Sequence, residues 1–212
     1  MDWTNDNIEA VILAAGDYPT AKLPLGILHD APYVVCCDGA ASEYIAHSNR
    51  PGAIVGDGDS MSQELKSQFA EIIHIDSDQE TNDQTKAVKF LQERGIVNIA
   101  IVGATGKRED HTIGNVALLV EYMRQGLNVR IYTDSGLFVA CCGAVNIDCK
   151  MGQAVSIFNI SAQDFSSDGL QYPIYDFTQW WQGTLNRTTA ERFTISAEGD
   201  YLVFVAYAES DL

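Results

Sequence analysis

Basic residues are scarce in this chain. Thirteen Lys and Arg stand against 29 Asp and Glu over 212 residues, a formal net charge of -16. Nucleic-acid backbones are gripped by clustered Lys and Arg, so no nucleic-acid partner is expected. Long apolar runs are missing too, and no stretch approaches the ~20 residues a membrane helix needs. The first residues, Met1-Asp2-Trp3-Thr4-Asn5-Asp6, carry no basic leader, so no signal peptide is expected. No Cys-x-x-Cys occurs. The five cysteines, Cys36, Cys37, Cys141, Cys142 and Cys149, are odd in number and include two adjacent pairs. That spacing argues against a disulfide framework and a zinc site and predicts buried, reduced thiols. A cytoplasmic protein is expected. There is no Gly-x-Gly-x-x-Gly either, which leaves a nicotinamide-binding reading without support.

What remains is a chain with 46% hydrophobic residues, enough for a packed core. Apolar runs at 9–15, 33–37, 53–55, 72–75, 99–102 and 129–132 read as strands. Helical patterns fill 21–29, 40–47, 62–70, 82–94 and 112–125. Ser62 is placed to cap its helix, and Gly95 and Gly126 to end theirs. Continuous apolar strands alternating with helices predict a parallel sheet covered on both faces. After residue 136 helical periodicity stops. Segments 137–142, 144–149, 154–160, 192–196 and 201–207 read as short strands between turn signals, the pattern of a small β-sandwich. The predicted organisation is a Rossmann-like α/β domain over 1–136 followed by an all-β sandwich over 137–212. Segment 137–142 fits either sheet.

Ligands of such parallel sheets bind outside the carboxyl ends of the strands. Five of these ends carry Gly and Asp together: Gly16-Asp17, Asp38-Gly39, Gly56-Asp57-Gly58-Asp59-Ser60, the run Asp76 to Asp83, and the run Gly103 to Asp110. One such end is a turn; five on one edge predict a site. In the third, Asp57 and Asp59 lie two residues apart, so extended backbone aims both carboxylates the same way. Hard cations such as Mg²⁺ take one or two carboxylates plus substrate phosphates. Asp38 after the second strand suits a ribose or a metal-bound water, or is a simple turn residue. Gly16-Asp17 and Asp38-Gly39 are expected to line the nucleotide site through backbone N–H groups.

In Asp78-Gln79-Glu80-Thr81-Asn82-Asp83 the acids crowd a helix N-terminus, where negative charge is favoured. Gln79 offers both a donor and an acceptor for a substrate's polar edge. The run Gly103-Ala104-Thr105-Gly106-Lys107-Arg108-Glu109-Asp110-His111 imitates a P-loop but is not one. Val102 stands where the first Gly belongs, and Arg108 follows Lys107 in place of Ser or Thr. A Gly-rich turn into a helix remains, able to face an anion, with Lys107 and Arg108 as a polyphosphate clamp. Asp110 adds a carboxylate, His111 a base or a cap, and Asn115 lies one turn further along the same helix face. In the β half, Tyr172 is expected at the surface, where it can stack on a flat ring. Trp180 and Trp181 are expected in the core.

Together these clusters resemble the thiamine pyrophosphokinase family. The resemblance rests on Asp38-Gly39-Ala40, Gly56 to Ser60, Asp78 to Asp83, Gly103 to His111 with Asn115, Gly169-Leu170-Gln171-Tyr172 and Gly183-Thr184-Leu185-Asn186. It implies Mg²⁺ and ATP phosphates at Asp57 and Asp59, with Asp83 and Asp110 completing the acidic set and Arg108 on phosphate. Ser60, Gly39, Gly103, Gly106, Lys107, His111 and Asn115 fall in the nucleotide segments. Gln79 would meet thiamine's pyrimidine, and Thr184, Leu185 and Asn186 would line the thiamine pocket of a homodimer, between the α/β domain of one subunit and the sandwich of the other. The sequence departs from the family at Asn82, Leu185 and Tyr172, where Thr, Ser and Trp are common. The implied reaction moves pyrophosphate from ATP to thiamine's hydroxyl and releases AMP, with Asp83 or Asp110 taking the proton. The alternatives are a pterin pyrophosphokinase, a non-catalytic thiamine or nucleotide sensor, and a Mg²⁺-dependent phosphohydrolase.

Overall fold

The structure, a computed structural model, describes residues 7–208; the expected absence of a signal peptide falls on residues 1–6, outside them. The first half alternates as its periodicities predict. In order come β1 (Ala10–Leu13), α1 (Lys22–His29), β2 (Val34–Cys37), α2 (Ala41–Ala46), β3 (Ala53–Gly56), α3 (Gln63–Gln68), β4 (Ile73–Ile75), α4 (Asp83–Gln92), β5 (Asn98–Val102), α5 (Glu109–Arg124) and β6 (Asn128–Tyr132). The second half has no α-helix among the described residues; its strands are β7 (Gly136–Cys142), β8 (Val145–Asp148), β9 (Ala154–Asn159), β10 (Gln163–Asp168), β11 (Asn186–Arg187), β12 (Arg192–Glu198) and β13 (Asp200–Ala206).

Helix starts follow side-chain chemistry. Ser62 Oγ accepts from Leu65 N–H (3.2 Å) and Asn82 Oδ1 from Thr85 N–H (2.9 Å), satisfying donors that have no partner inside the helix. Helix α5 begins at Glu109, a turn before the apolar periodicity does. Its first residues are Glu109 and Asp110, acids that suit the positive end of a helix.

Ten strands form one sheet in the order β11-β9-β13-β7-β6-β5-β1-β2-β3-β4. From β6 to β4 all pairings are parallel. Strand β7 then adds antiparallel to β6, with Ile131 opposite Phe138, and β13, β9 and β11 continue antiparallel. Segment 137–142 is therefore the seam: it belongs to the same sheet as the α/β half. A second sheet, β10-β12-β8, lies over the antiparallel end. Phe165, Phe193 and Ile195 from it share one core with Val155, Tyr201 and Val203, and Phe165 meets the Tyr201 ring edge-on at 5.4 Å. The architecture is an α/β sheet running into a β-sandwich.

Period-two alternation divides the strands between two cores. Val11, Leu13 and Cys36 face α1, α2 and α3; Ile12 and Cys37 face α4 and α5. Three expectations need correction. Strand β4 is not covered on both faces, because it is the sheet edge and leaves Ile75 58% exposed. Trp180 and Trp181 are exposed on a 3₁₀ turn (Trp180–Gly183) rather than packed in the core. Cys36, Cys37 and Cys141 are buried, but Cys142 is exposed and Cys149 half-buried; all five are free thiols. Strands β10 and β11 escape sequence reading. Gln163–Asp168 has a single large apolar residue, Phe165, and β11 is two residues long.

Candidate active site

Strand order fixes where the site falls. From β1 the chain steps to β2, β3 and β4 on one side, then returns to β5 and β6 on the other. The chain therefore leaves β1 and β5 in opposite directions along the sheet, which makes the carboxyl edge beside them the topological switch point, where ligands of such sheets bind. A cleft of about 490 Å³ occupies it. Its walls come from all five Gly- and Asp-bearing strand ends, including Gly16, Gly39, Asp57, Asp83 and Lys107.

The floor is acidic. A Cβ placed on Gly56 would lie 2.5 Å from the Asp38 Cβ and 3.3 Å from Asp83 Oδ1, so only glycine lets these two carboxylates approach each other over β3. Asp38 is buried. Its Oδ2 accepts from Ser60 N–H (3.0 Å), and its Oδ1 is sealed from solvent and receives no hydrogen bond. Burial raises the Asp38 carboxyl above the usual range, and the nearby Asp83 and Asp57 charges add to the rise. Asp57 behaves oppositely. Its Oδ1 accepts from Asp59 N–H (3.0 Å), and that bond holds its pKa below the usual value. The loop before α4 is pinned the same way: Asp78 Oδ1 accepts from Glu80 N–H (2.9 Å) and its Oδ2 from the Thr81 hydroxyl (2.9 Å).

The opposite lip is cationic. Lys107, in the left-handed region at φ 50°, donates to Ala15 O (3.0 Å). Arg108 forks onto Asp110, and this exposed pair lowers the Asp110 pKa. Asn115 knits the two sides together: its Nδ2 donates to Ala104 O (2.8 Å) and its Oδ1 accepts from Asn82 Nδ2 (2.9 Å). Buried Gln84 donates to Asn115 O (3.1 Å).

The cleft gathers Gly39, Asp57, Ser60, Gln79, Asp83, Gly106, Lys107, Arg108, His111 and Asn115 from the residues picked out by sequence. Asp38 lies beneath them. Gly103 lines a smaller neighbouring hollow with Asp17 and Asp134. Asp59 follows Gly58, at φ 83°, on an exposed turn outside the cleft lining, so the chain leaves the extended geometry that would aim it with Asp57. Asp110 points to Arg108 instead of lining the cleft. The Gly16 and Asp17 N–H groups are not offered to a ligand; they bond Gly103 O (2.7 Å) and Thr105 O (2.8 Å), zipping the β1 and β5 loops together. Sequence reasoning missed Gln84 and Lys86, buried polar residues of α4 that also line the cleft. Lys86 was discoverable, since it lies one helical turn beyond Asp83.

Tyr172, Thr184, Leu185 and Asn186 line none of this cleft. They lie at the sandwich end. Buried Asn186 clamps the Tyr172 backbone, accepting from its N–H (3.1 Å) and donating to its O (2.8 Å). Thr184 donates to Trp181 O (2.7 Å). Leu185, at φ 65°, is 86% exposed, close to exposed Trp181.

Both halves of the chain match known families. The model for "Thiamin pyrophosphokinase, catalytic domain" matches residues 26–131, and "Thiamin pyrophosphokinase, substrate-binding domain" matches 136–204. The chain belongs to the thiamin pyrophosphokinase family. Thiamin pyrophosphokinase 1 of Caenorhabditis elegans is 25% identical over 184 residues, covering 79% of this chain and 75% of its own. Thiamine pyrophosphokinase 1 of Oryza sativa subsp. japonica is 30% identical over 122 residues, 46% of this chain and 45% of its own. Among solved structures, the yeast thiamin pyrophosphokinase superposes with a TM-score of 0.79 at 16% identity, covering 98% of this chain and 89% of that one. The Bacillus subtilis enzyme gives 0.77 at 17% identity, covering 94% and 99%. At those identities the structural likeness speaks for the fold.

Proposed function

We propose that the chain transfers pyrophosphate from ATP to the hydroxyethyl oxygen of thiamine, giving thiamine pyrophosphate and AMP. The observation carrying this reading is the switch-point cleft of a thiamin pyrophosphokinase family member, acidic on its floor and cationic on its lip. In the transfer, the thiamine oxygen bonds to the β-phosphorus of ATP in line as the bond from that phosphorus to the α-phosphate oxygen breaks. Such reactions depend on positioning and on charge neutralisation.

The residues divide that work. Lys107 and Arg108 meet phosphate oxygens at the mouth, Arg108 exchanging its Asp110 partner for substrate. Asp57 and Asp83, which face the cleft, would hold Mg²⁺, with Asp59 one short turn away and the unpartnered Asp38 Oδ1 buried below; among the described residues no three ligating side chains converge, as fits an ion that takes one or two carboxylates plus substrate phosphates. Bound there, the metal would neutralise charge on the phosphates. Asp83 lines the cleft and Asp110 does not, which favours Asp83 for receiving the hydroxyl proton. Gln79 reads the pyrimidine edge. Tyr172, Thr184, Leu185 and Asn186, remote from this cleft, serve the cleft of a second copy in a homodimer.

The experiment uses purified protein with ATP, Mg²⁺ and thiamine. Wild type should yield thiamine pyrophosphate and AMP in equal amounts. Asp83→Asn and Tyr172→Ala should each be nearly inactive. Mixing and re-equilibrating the two should restore about a quarter of wild-type activity, because half the dimers then carry one intact site of two. ADP or phosphate as product would sink the transfer reading, saturable thiamine binding without turnover would point to a sensor, and no rescue on mixing would sink the shared site.

A further inference from the structure

We propose that Lys86 is a positioning residue of this transfer: a buried ammonium that fixes the Asp83 carboxylate and offsets the mutual repulsion of the cleft's acidic floor. The proposal rests on the functional reading above and concerns a residue that reading leaves out. Lys is seldom buried unless paired, because removing its charge from water is costly. Lys86 is 4% exposed. Its Nζ lies 3.3 Å from Asp83 Oδ1, one turn along α4, as donor and ion-pair partner at once.

Position makes the pair more than a surface bridge. Asp83 is the first residue of α4, with Asn82 as cap, so the backbone carrying it is fixed. Around it stand Asp38, whose Cβ and Asp83 Oδ1 converge above Gly56, and Asp57 across the same cleft. These three carboxylates repel one another, and a fixed cation beside Asp83 reduces that cost. The Lys86 charge reaches Asp57 and Asp78 as well. Lys86 also lines a second groove of about 350 Å³ behind the cleft, beside His74, Lys89 and Arg94. It thus forms the wall between them, with its charged end on the catalytic side. An ammonium held there sets where Asp83 Oδ1 lies when substrate arrives.

A double-mutant cycle of Lys86→Met and Asp83→Asn tests this on the whole chain without ligand. In the wild-type background Asp83→Asn should lower the melting temperature, because it leaves a buried ammonium unpaired. In the Lys86→Met background the same change should raise it, because it removes an unpaired carboxylate. Equal effects in both backgrounds would overturn the proposal, since a side chain that merely fills space does not couple to Asp83's charge. Turnover gives the second readout: Lys86→Met should lower kcat about 10- to 100-fold, with the thiamine KM held within about threefold. Wild-type kcat in that variant would also overturn it. If Lys86→Met alone does not fold, the double variant must; a double variant that also fails to fold contradicts the electrostatic account. If wild type makes no thiamine pyrophosphate, the functional reading falls while the melting cycle still decides what Lys86 does to Asp83.

Discussion

Asp38 shows how stability yields to function at a single position. Its carboxyl titrates above the ordinary range, chiefly through burial and secondarily through Asp83 and Asp57. A raised acid binds more protons in the folded state than in the unfolded one between its two pKa values. Folding stability therefore falls as pH rises from the unfolded value through the folded one, and the penalty is fully in place above it. Asp38→Asn removes that penalty and keeps an oxygen for Ser60 N–H. The variant should melt about 2–4 °C higher at pH 7 and lose its advantage below the acid transition, while turnover falls. A melting temperature that drops at pH 7 would mean that the charge is compensated in the folded protein.

The same residue marks how far sequence reading reached. Asp38 could be named because Asp-Gly follows an apolar strand. Its burial beneath Gly56 could not, since that depends on which strands are neighbours. Asp57 and Asp59 look equivalent in Gly56-Asp57-Gly58-Asp59-Ser60, yet the positive φ of Gly58 parts them. Lys86 hid among ordinary helix residues because charge normally means surface.

At the level of elements, α4 carries the most. Its first turn presents Asp83, its second Lys86, and its cap residue Asn82 reaches across to Asn115 of α5. Asn82→Ala deletes both the cap and that bridge. Loss of a helix cap costs about 1 kcal/mol, and the bridge adds about 0.5–1.5 kcal/mol. The urea midpoint should fall accordingly with an unchanged slope; an unchanged midpoint would show that α4 is held by packing alone. Helix α3 was legible through Ser62 and the end of α4 through Gly95, because caps are local chemistry. Strands β10 and β11 were not, because an edge strand with one buried side chain has no periodicity to read. The exposure of Trp180 and Trp181 escaped for the converse reason: aromatic composition favours a core, and only the 3₁₀ turn at the sandwich end shows that they face outward.

At the level of the whole molecule, one sheet runs through both halves. Helices give way to strands after β6, and β7 pairs with β6 in register, so the parallel and antiparallel regions share backbone hydrogen bonds. The α/β cleft and the exposed aromatic end are thus carried on one continuous scaffold, which fixes the spacing between them. Alternation of strands and helices was enough to predict the carboxyl-edge cleft, since strand ends converge there in any such sheet. Strand order, which sets the switch point at β1 and β5, came only with the structure.

In the proposed reaction this cleft moves two phosphates together. The measurement that tests it most directly uses ATP labelled at the β-phosphorus, with Mg²⁺ and thiamine. All transferred label should appear in thiamine pyrophosphate, and the released nucleotide should be unlabelled AMP. Label remaining on released ADP would show that the bond broken lies between the β- and γ-phosphates, and would contradict the account.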